Sequence, residues 1–161
     1  MLCLNAIAHI QGPDGEQTVP LTEFLTGPGS TVLQRGEILT GLEVPPLPAG
    51  AVGCYVKIGR IRGPDLAILG LGLVGYPAAR NASGWSFRIG MGSVAPTPIR
   101  AIEAEAVLAE STDDDAIEEA SAAAVRVTKP ISDVRATAYY RSLVVKNLTK
   151  RTIRWVLGQV A

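Results

Sequence analysis

The sequence predicts an α+β fold in which a three-stranded antiparallel sheet packs against three helices, with a smaller β-rich unit ahead of it. Three observations predict it. Extended apolar runs at 53–58, 66–76 and 85–94 follow one another through short, turn-rich connections, as in an antiparallel meander. Helix-forming sequence then takes over from residue 101, and strands followed by helices build an α+β layer rather than alternating units. Ahead of the first run, Pro45-Pro46-Leu47-Pro48-Ala49-Gly50 breaks regular structure, because proline removes backbone donors and restricts the residue before it. The break divides the chain into units 1–48 and 49–161.

In order along the chain, 2–10 is apolar with partial alternation and predicts a strand. Gly12-Pro13-Asp14-Gly15 predicts a turn, since proline presets φ and glycine permits positive φ, and 17–21 returns as the second arm of a hairpin. Thr22 to Leu25 suits one helical turn, ended by Gly27-Pro28-Gly29. The run 36–44 predicts a strand with Ile38, Leu42 and Val44 on one side and Leu39 on the other. In the second unit, Arg62-Gly63-Pro64-Asp65 and 79–84 are the turns between the three long strands. The middle strand alternates Leu69, Leu71 and Leu73 with Gly70 and Gly72, which predicts close approach of a helix over its glycine face.

Pro98 predicts a helix start, where a missing N–H costs least. The first helix spans 101–109, rich in Ala, Glu and Leu. Ser111-Thr112-Asp113-Asp114 supplies cap side chains and negative charge for a second helix at 116–127. The third runs 136–160, with Tyr140, Val144, Leu148 and Trp155 as its apolar stripe and Lys146, Lys150 and Arg154 on a solvated face.

Composition narrows the function. Across 161 residues, 15 basic and 15 acidic side chains balance, so bulk charge does not favour nucleic acid or an anionic membrane. Aromatics are only 5%, too few for base-stacking platforms. The longest apolar run, 66–76, holds three glycines and falls well short of the ~20 residues of a membrane span. Without a basic segment followed by a long apolar run at the N-terminus, a cytoplasmic location is expected. Cys3 and Cys54 have neither metal-ligand nor disulfide-framework spacing and are expected as reduced thiols.

Most chemistry-bearing residues have ordinary explanations. Gly70-Leu71-Gly72 lacks a third glycine and a following helix, so it is no phosphate cradle. His9, the only histidine, has no ligand-spaced partner. Asp113 to Asp115 are explained by capping, and Ser132-Asp133 lacks a positioned base. The segment 55–67 differs. Lys57 closes a strand, a basic loop through Gly59, Arg60 and Arg62 follows, and Asp65 is placed to fix that loop. This is a candidate anion or cofactor edge, and a surface turn explains it as well.

Four motifs in order then carry a family resemblance. Gly36-Glu37-Ile38-Leu39-Thr40, the segment from Lys57 to Ala67, Pro96-Thr97-Pro98-Ile99-Arg100, and Pro130-Ile131-Ser132-Asp133-Val134-Arg135 followed by Tyr140-Arg141 resemble the C-terminal half of the FAD-binding medium subunit of molybdenum hydroxylases, the xanthine dehydrogenase and aerobic carbon monoxide dehydrogenase family. The resemblance implies that residues 1–48 correspond to the end of the FAD-binding domain and 49–161 to the flavoprotein C-terminal domain. It implies FAD as cofactor, with Leu39, Lys57, Gly59 and Asp65 at the flavin, and no catalytic or metal-binding residue of its own. It implies a complex with a molybdenum-cofactor large subunit and an iron–sulfur small subunit, in which electrons pass from iron–sulfur clusters through FAD to NAD, a quinone or oxygen. The family's two glycine-rich FAD-pyrophosphate motifs have no counterpart here. The chain alone is therefore expected to bind FAD weakly or not at all, with the missing half supplied by another polypeptide or lost by truncation. The alternative is a flavin-free scaffold or subunit-interaction domain that keeps only the fold.

Overall fold

The computed structural model describes residues 1–61 and 64–159. The N-terminal portion holds a three-stranded sheet in the order β2-β1-β5, built from β1 (Ile7–Gly12), β2 (Gly15–Pro20) and β5 (Ile38–Glu43). The hairpin turns through Pro13-Asp14, with Gly12 opposite Gly15 and Gly15 at φ 117°. A single turn of helix, α1 (Leu21–Phe24), leads into the short ribbon β3 (Leu25–Gly27) and β4 (Ser30–Thr31). Ala8, Ile10 and Phe24 form its small core.

Two expectations about this unit fail. Residues 2–10 are not one strand: Leu2–Leu4 is a 3₁₀ turn, ended by Asn5 in the left-handed region at φ 51°. Asn tolerates that conformation better than other non-glycine residues. Leu39 also does not point away from Leu42. Gly41 lies opposite His9 while Leu39 lies opposite Ile10, so Thr40 is an extra residue in β5 and forms a bulge. The bulge turns Leu39 onto the face shared by Ala8, Ile10 and Leu42, and the Thr40 hydroxyl donates to the His9 carbonyl at 3.1 Å.

The C-terminal sheet runs in the order β6-β7-β8-β9, all antiparallel. Its long strands are β6 (Val52–Ile58), β7 (Leu69–Pro77) and β8 (Trp85–Gly92), the expected meander. The turn read at 62–65 lies partly outside the described residues. A fourth strand, β9 (Ile99–Arg100), was not expected: Met91 pairs with Ile99 and Gly90 with Arg100, so Pro98 precedes a strand and not a helix.

Three helices cover one face: α2 (Ile102–Glu110), α3 (Asp114–Arg126) and α4 (Ala138–Leu157). Asp113 caps α3, accepting from the Ala116 amide at 2.7 Å, and Thr137 caps α4, accepting from the Tyr140 amide at 3.1 Å. Leu69, Leu71, Leu73, Ile89 and Met91 face the helices and meet small residues of α2 and α3 (Ala104, Ala120, Ala124), which let the layers approach closely.

The stripe that α4 buries is not the one expected. Arg141, Val145, Leu148, Thr149, Thr152, Ile153 and Val156 face inward, while Tyr140 and Trp155 are about half exposed. Lys146 and Lys150 are not a free solvated face. Both reach the Glu118 carboxylate on α3 at 2.6 Å, and Arg154 pairs with Asp114 at 2.7 Å. These ion pairs lace α4 to α3.

Candidate functional site

Register places Lys57 opposite Gly70, Tyr55 opposite Gly72, Gly90 opposite Gly72, and Gly92 opposite Gly70. All lie on the sheet face away from the helices. The expected approach over the glycines is real, but no helix makes it. Tyr55 and the 3₁₀ turn do. A Cβ on Gly70 would stand 2.6 Å from the Tyr55 hydroxyl, and one on Gly90 would stand 2.7 Å from Cys3 Sγ. The Cys3 thiol donates to the Gly72 carbonyl at 3.0 Å. Burial holds the Cys3 thiol above its ordinary pKa, and Cys54 is raised for the same reason, so neither is an activated nucleophile.

A groove of about 270 Å³ opens over this glycine floor, walled by Leu2 of the 3₁₀ turn, Leu21 of α1 and Leu25 of β3 on one side and by Tyr55 and Pro98 on the other. Arg100 bolts the two portions together at its edge. Its guanidinium grips Glu105 through Nε (2.7 Å) and Nη2 (2.5 Å), while Nη1 donates to Asn5 Oδ1 at 3.1 Å.

Of the four residues expected at a cofactor, the structure brings two together. Asp65 accepts from the Arg60 amide at 2.9 Å and from its neighbour Leu66 at 2.8 Å, and its side chain is 8% exposed. The hydrogen bond from the Arg60 amide, foremost, holds the Asp65 carboxyl below its ordinary range. A Cβ on Gly59 would stand 3.4 Å from Asp65 Oδ2, so Gly59 and Asp65 lie against each other. Lys57, two residues earlier on edge strand β6, is exposed, and no carboxylate among the described residues pairs with it. Leu39 sits on the other sheet, on β5, 41% exposed. Neither Lys57 nor Leu39 lines the glycine-floored groove.

The remaining candidates behave structurally. His9 Nε2 lies 2.9 Å from Glu43 Oε2 across the N-terminal sheet. Ser132 Oγ accepts from the Ala138 amide at 2.9 Å, and Asp133 binds arginines, so the pair is no nucleophile system. Among the described residues, no group of His, Cys, Asp or Glu is arranged to hold a metal ion.

The residue that sequence reasoning underrated is Arg141. It is 1% exposed, yet charged. Its Nη1 donates to the carbonyls of Ile68 (2.5 Å) and Ser93 (2.8 Å), and Nη2 donates to Asp133 Oδ1 at 2.9 Å. Asp133 also receives Arg135, and the Arg135 contact, foremost, holds the Asp133 carboxyl well below its ordinary range. The motif around 130–135 and the motif around Arg141 are thus two halves of one clasp that locks β7 and the 93–98 loop to α4.

The model of the CO dehydrogenase flavoprotein C-terminal domain matches residues 54–156. The chain belongs to that family. A second model, the FAD binding domain in molybdopterin dehydrogenase, matches residues 1–47. Among relatives of this family, the chain is 32% identical over 154 residues to a carbon monoxide dehydrogenase medium chain of Afipia carboxidovorans, covering 95% of this chain and 52% of that one. It is 29% identical over 154 residues to a xanthine dehydrogenase FAD-binding subunit of Escherichia coli O157:H7, covering 94% and 52%. Among solved structures, it superposes on carbon monoxide dehydrogenase from Hydrogenophaga pseudoflava with a TM-score of 0.90 at 30% identity, covering 99% of this chain and 55% of that one. The chain therefore spans about half the length of the relatives it matches.

Proposed function

We propose that this chain contributes one wall of an FAD site within the flavoprotein component of a molybdenum-dependent hydroxylase or dehydrogenase, with residues 1–48 and 49–161 contributing from two domains. The observation that carries this reading is the edge formed by Lys57, Gly59 and Asp65: a cation at a strand end with which no carboxylate among the described residues pairs, followed by an Arg60 amide held by the nearly buried Asp65 carboxylate. The residues fit the redox ring of such a group and not its pyrophosphate, because among the described residues no glycine-rich turn opens onto a helix.

When bound, FAD supplies a two-electron carrier between iron–sulfur clusters and an acceptor such as NAD or a quinone. Lys57 supplies a positive charge beside it, which favours whichever state of the ring carries negative charge. Asp65 accepts from the Arg60 amide and so anchors the backbone just after the strand end that carries Lys57. Leu39, half exposed on the bulged strand, offers an apolar contact from the first domain. The large molybdenum subunit and the small iron–sulfur subunit are the partners this role requires.

Lys57→Ala tests the assignment in the assembled complex, with Lys57→Arg as the charge-retaining control. Loss of flavin, or slower flavin reoxidation, in the alanine variant alone supports it. Unchanged flavin content together with unchanged turnover on the natural acceptor contradicts it. A flavin-free interaction domain is the second reading, favoured by the exposed apolar residues Ile38, Leu39 and Leu42 on edge strand β5. On that reading the complex assembles without flavin and Lys57→Ala changes nothing.

A further inference from the structure

A second concave site adjoins the glycine-floored groove, sharing Ser93 with it, and does not include Lys57. It is a cleft of about 340 Å³ where the 93–96 loop meets the 129–135 segment, with Pro28 of the β3–β4 turn at its rim. Three cationic side chains line it: Lys129, Arg135 and Arg141. They come from different places, the linker after α3, the loop before α4, and α4 itself.

Their donors are only partly used. Arg141 is almost fully buried and spends both terminal nitrogens on the Ile68, Ser93 and Asp133 oxygens, yet its Nε is buried with no partner. Leaving such an N–H unpaired inside a protein is costly, and native structures seldom do so without a ligand or ordered water nearby. Arg135 places Nε and Nη2 on Asp133 Oδ2, which leaves Nη1 unengaged among the described contacts. Lys129 is tethered by its backbone, its amide donating to the Val94 carbonyl at 2.8 Å, and its ammonium pairs with no carboxylate among the described residues. Among the described residues, Asp133 is the one carboxylate that meets the two arginines, so three cations are matched by one carboxylate.

The unused donors belong to three separate segments, and Arg135 has already committed one face of its guanidinium to Asp133. That arrangement suits a tetrahedral, multiply charged oxyanion better than a planar carboxylate, which is best met by one free arginine fork. We propose that this cleft binds a phosphate group, either free inorganic phosphate or the terminal phosphate of a small nucleotide. The cleft has room for the phosphate, with any nucleoside extending past Pro28 and Lys129 into solvent.

The test is isothermal titration calorimetry of the full chain at constant ionic strength, with inorganic phosphate and with ADP as probes. Saturable binding of either probe is expected. Lys129→Ala should weaken it about tenfold, the effect of losing one charge-assisted hydrogen bond, while the melting temperature in phosphate-free buffer stays the same. Lys129→Gln is a second variant should the alanine form fold poorly, with the same expectation. Arg80→Ala, which removes an exposed cation in the 79–84 turn, should leave binding unchanged. Tighter binding of ADP identifies a nucleotide as the source of the phosphate, and equal affinity identifies free phosphate. The proposal is overturned if neither probe saturates, if both Lys129 variants bind as the wild type does, or if Arg80→Ala weakens binding as much as they do.

Discussion

Replacing Arg141 by methionine should cost this protein about 3 kcal/mol of stability. The magnitude comes from what the guanidinium satisfies. Methionine fills much of the same volume, so little cavity energy enters. It leaves the buried Ile68 carbonyl and the part-buried Ser93 carbonyl without that donor. A buried polar group stripped of its partner costs about 1–3 kcal/mol. Asp133 loses one of two arginines and keeps Arg135, so it is not left uncompensated. The total therefore lies toward the low end of the roughly 3–5 kcal/mol seen when a buried pair is broken. Against a total stability of about 5–15 kcal/mol, that is a large fraction. Urea unfolding followed by the fluorescence of Trp85 and Trp155 measures it. With a slope of about 2 kcal/mol/M, the midpoint should fall by roughly 1.5 M at unchanged slope. Arg141→Lys keeps the charge without the planar fork and should lie between the two. A methionine variant within about 1 kcal/mol of wild type, or a lysine variant equal to wild type, would refute the reasoning, since either would mean the fork's hydrogen bonds contribute nothing net.

Other predictions rest on separate features. Lys146 and Lys150 hold Glu118 down to about 2 from an ordinary value near 4.5. A depressed carboxylate stabilises the fold above its unfolded pKa, and that contribution is lost as pH falls through the folded one. The stability advantage of wild type over Glu118→Gln should be full at pH 6 and shrink between about pH 4.5 and 2, as read from urea midpoints across that range. An advantage independent of pH would contradict the ion-pair ladder. Gly90→Val should lift the 3₁₀ turn off the sheet, because even a Cβ there would meet Cys3 Sγ at 2.7 Å. The expected readout is faster labelling of Cys3 by a thiol reagent in native buffer, and an unchanged Cys3 labelling rate would show that the turn does not rest on the glycine floor as described.

The meander was legible because its strands are long apolar runs bounded by strong turn signals, and the helices because Ala and Glu dominate 101–127. What escaped were features decided by contacts distant in sequence. The buried stripe of α4 contains Arg141, Thr149 and Thr152, which a hydrophobic period reads as solvent-facing. Arg141 is buried because carbonyls of β7's approach and of the 93–98 loop are waiting for it, 73 and 48 residues away. The Thr152 hydroxyl instead returns to its own helix, donating to Leu148 at 2.6 Å. The bulge at Thr40 broke the strict two-residue alternation on which the side of Leu39 was judged. The short β9 was hidden because Pro98 is as good a helix starter as a strand flank, and only its pairing with Gly90 and Met91 decides between them. At the candidate cofactor edge, the sequence already suggested that Asp65 fixes the loop after Lys57, because an Asp near a Gly-containing turn has few other tasks. It did not reveal the glycine floor with Tyr55 laid across it, since that needs Gly70, Gly72, Gly90 and Gly92 to be paired across strands.

The central claim, that this chain forms one wall of a flavin site, is tested most directly by the visible absorption spectrum of the purified protein, alone and co-purified with a polypeptide that carries the glycine-rich FAD-phosphate loops. Flavin bands are expected only in the co-purified form, with their loss or weakening in Lys57→Ala. A co-purified complex without flavin bands would contradict it.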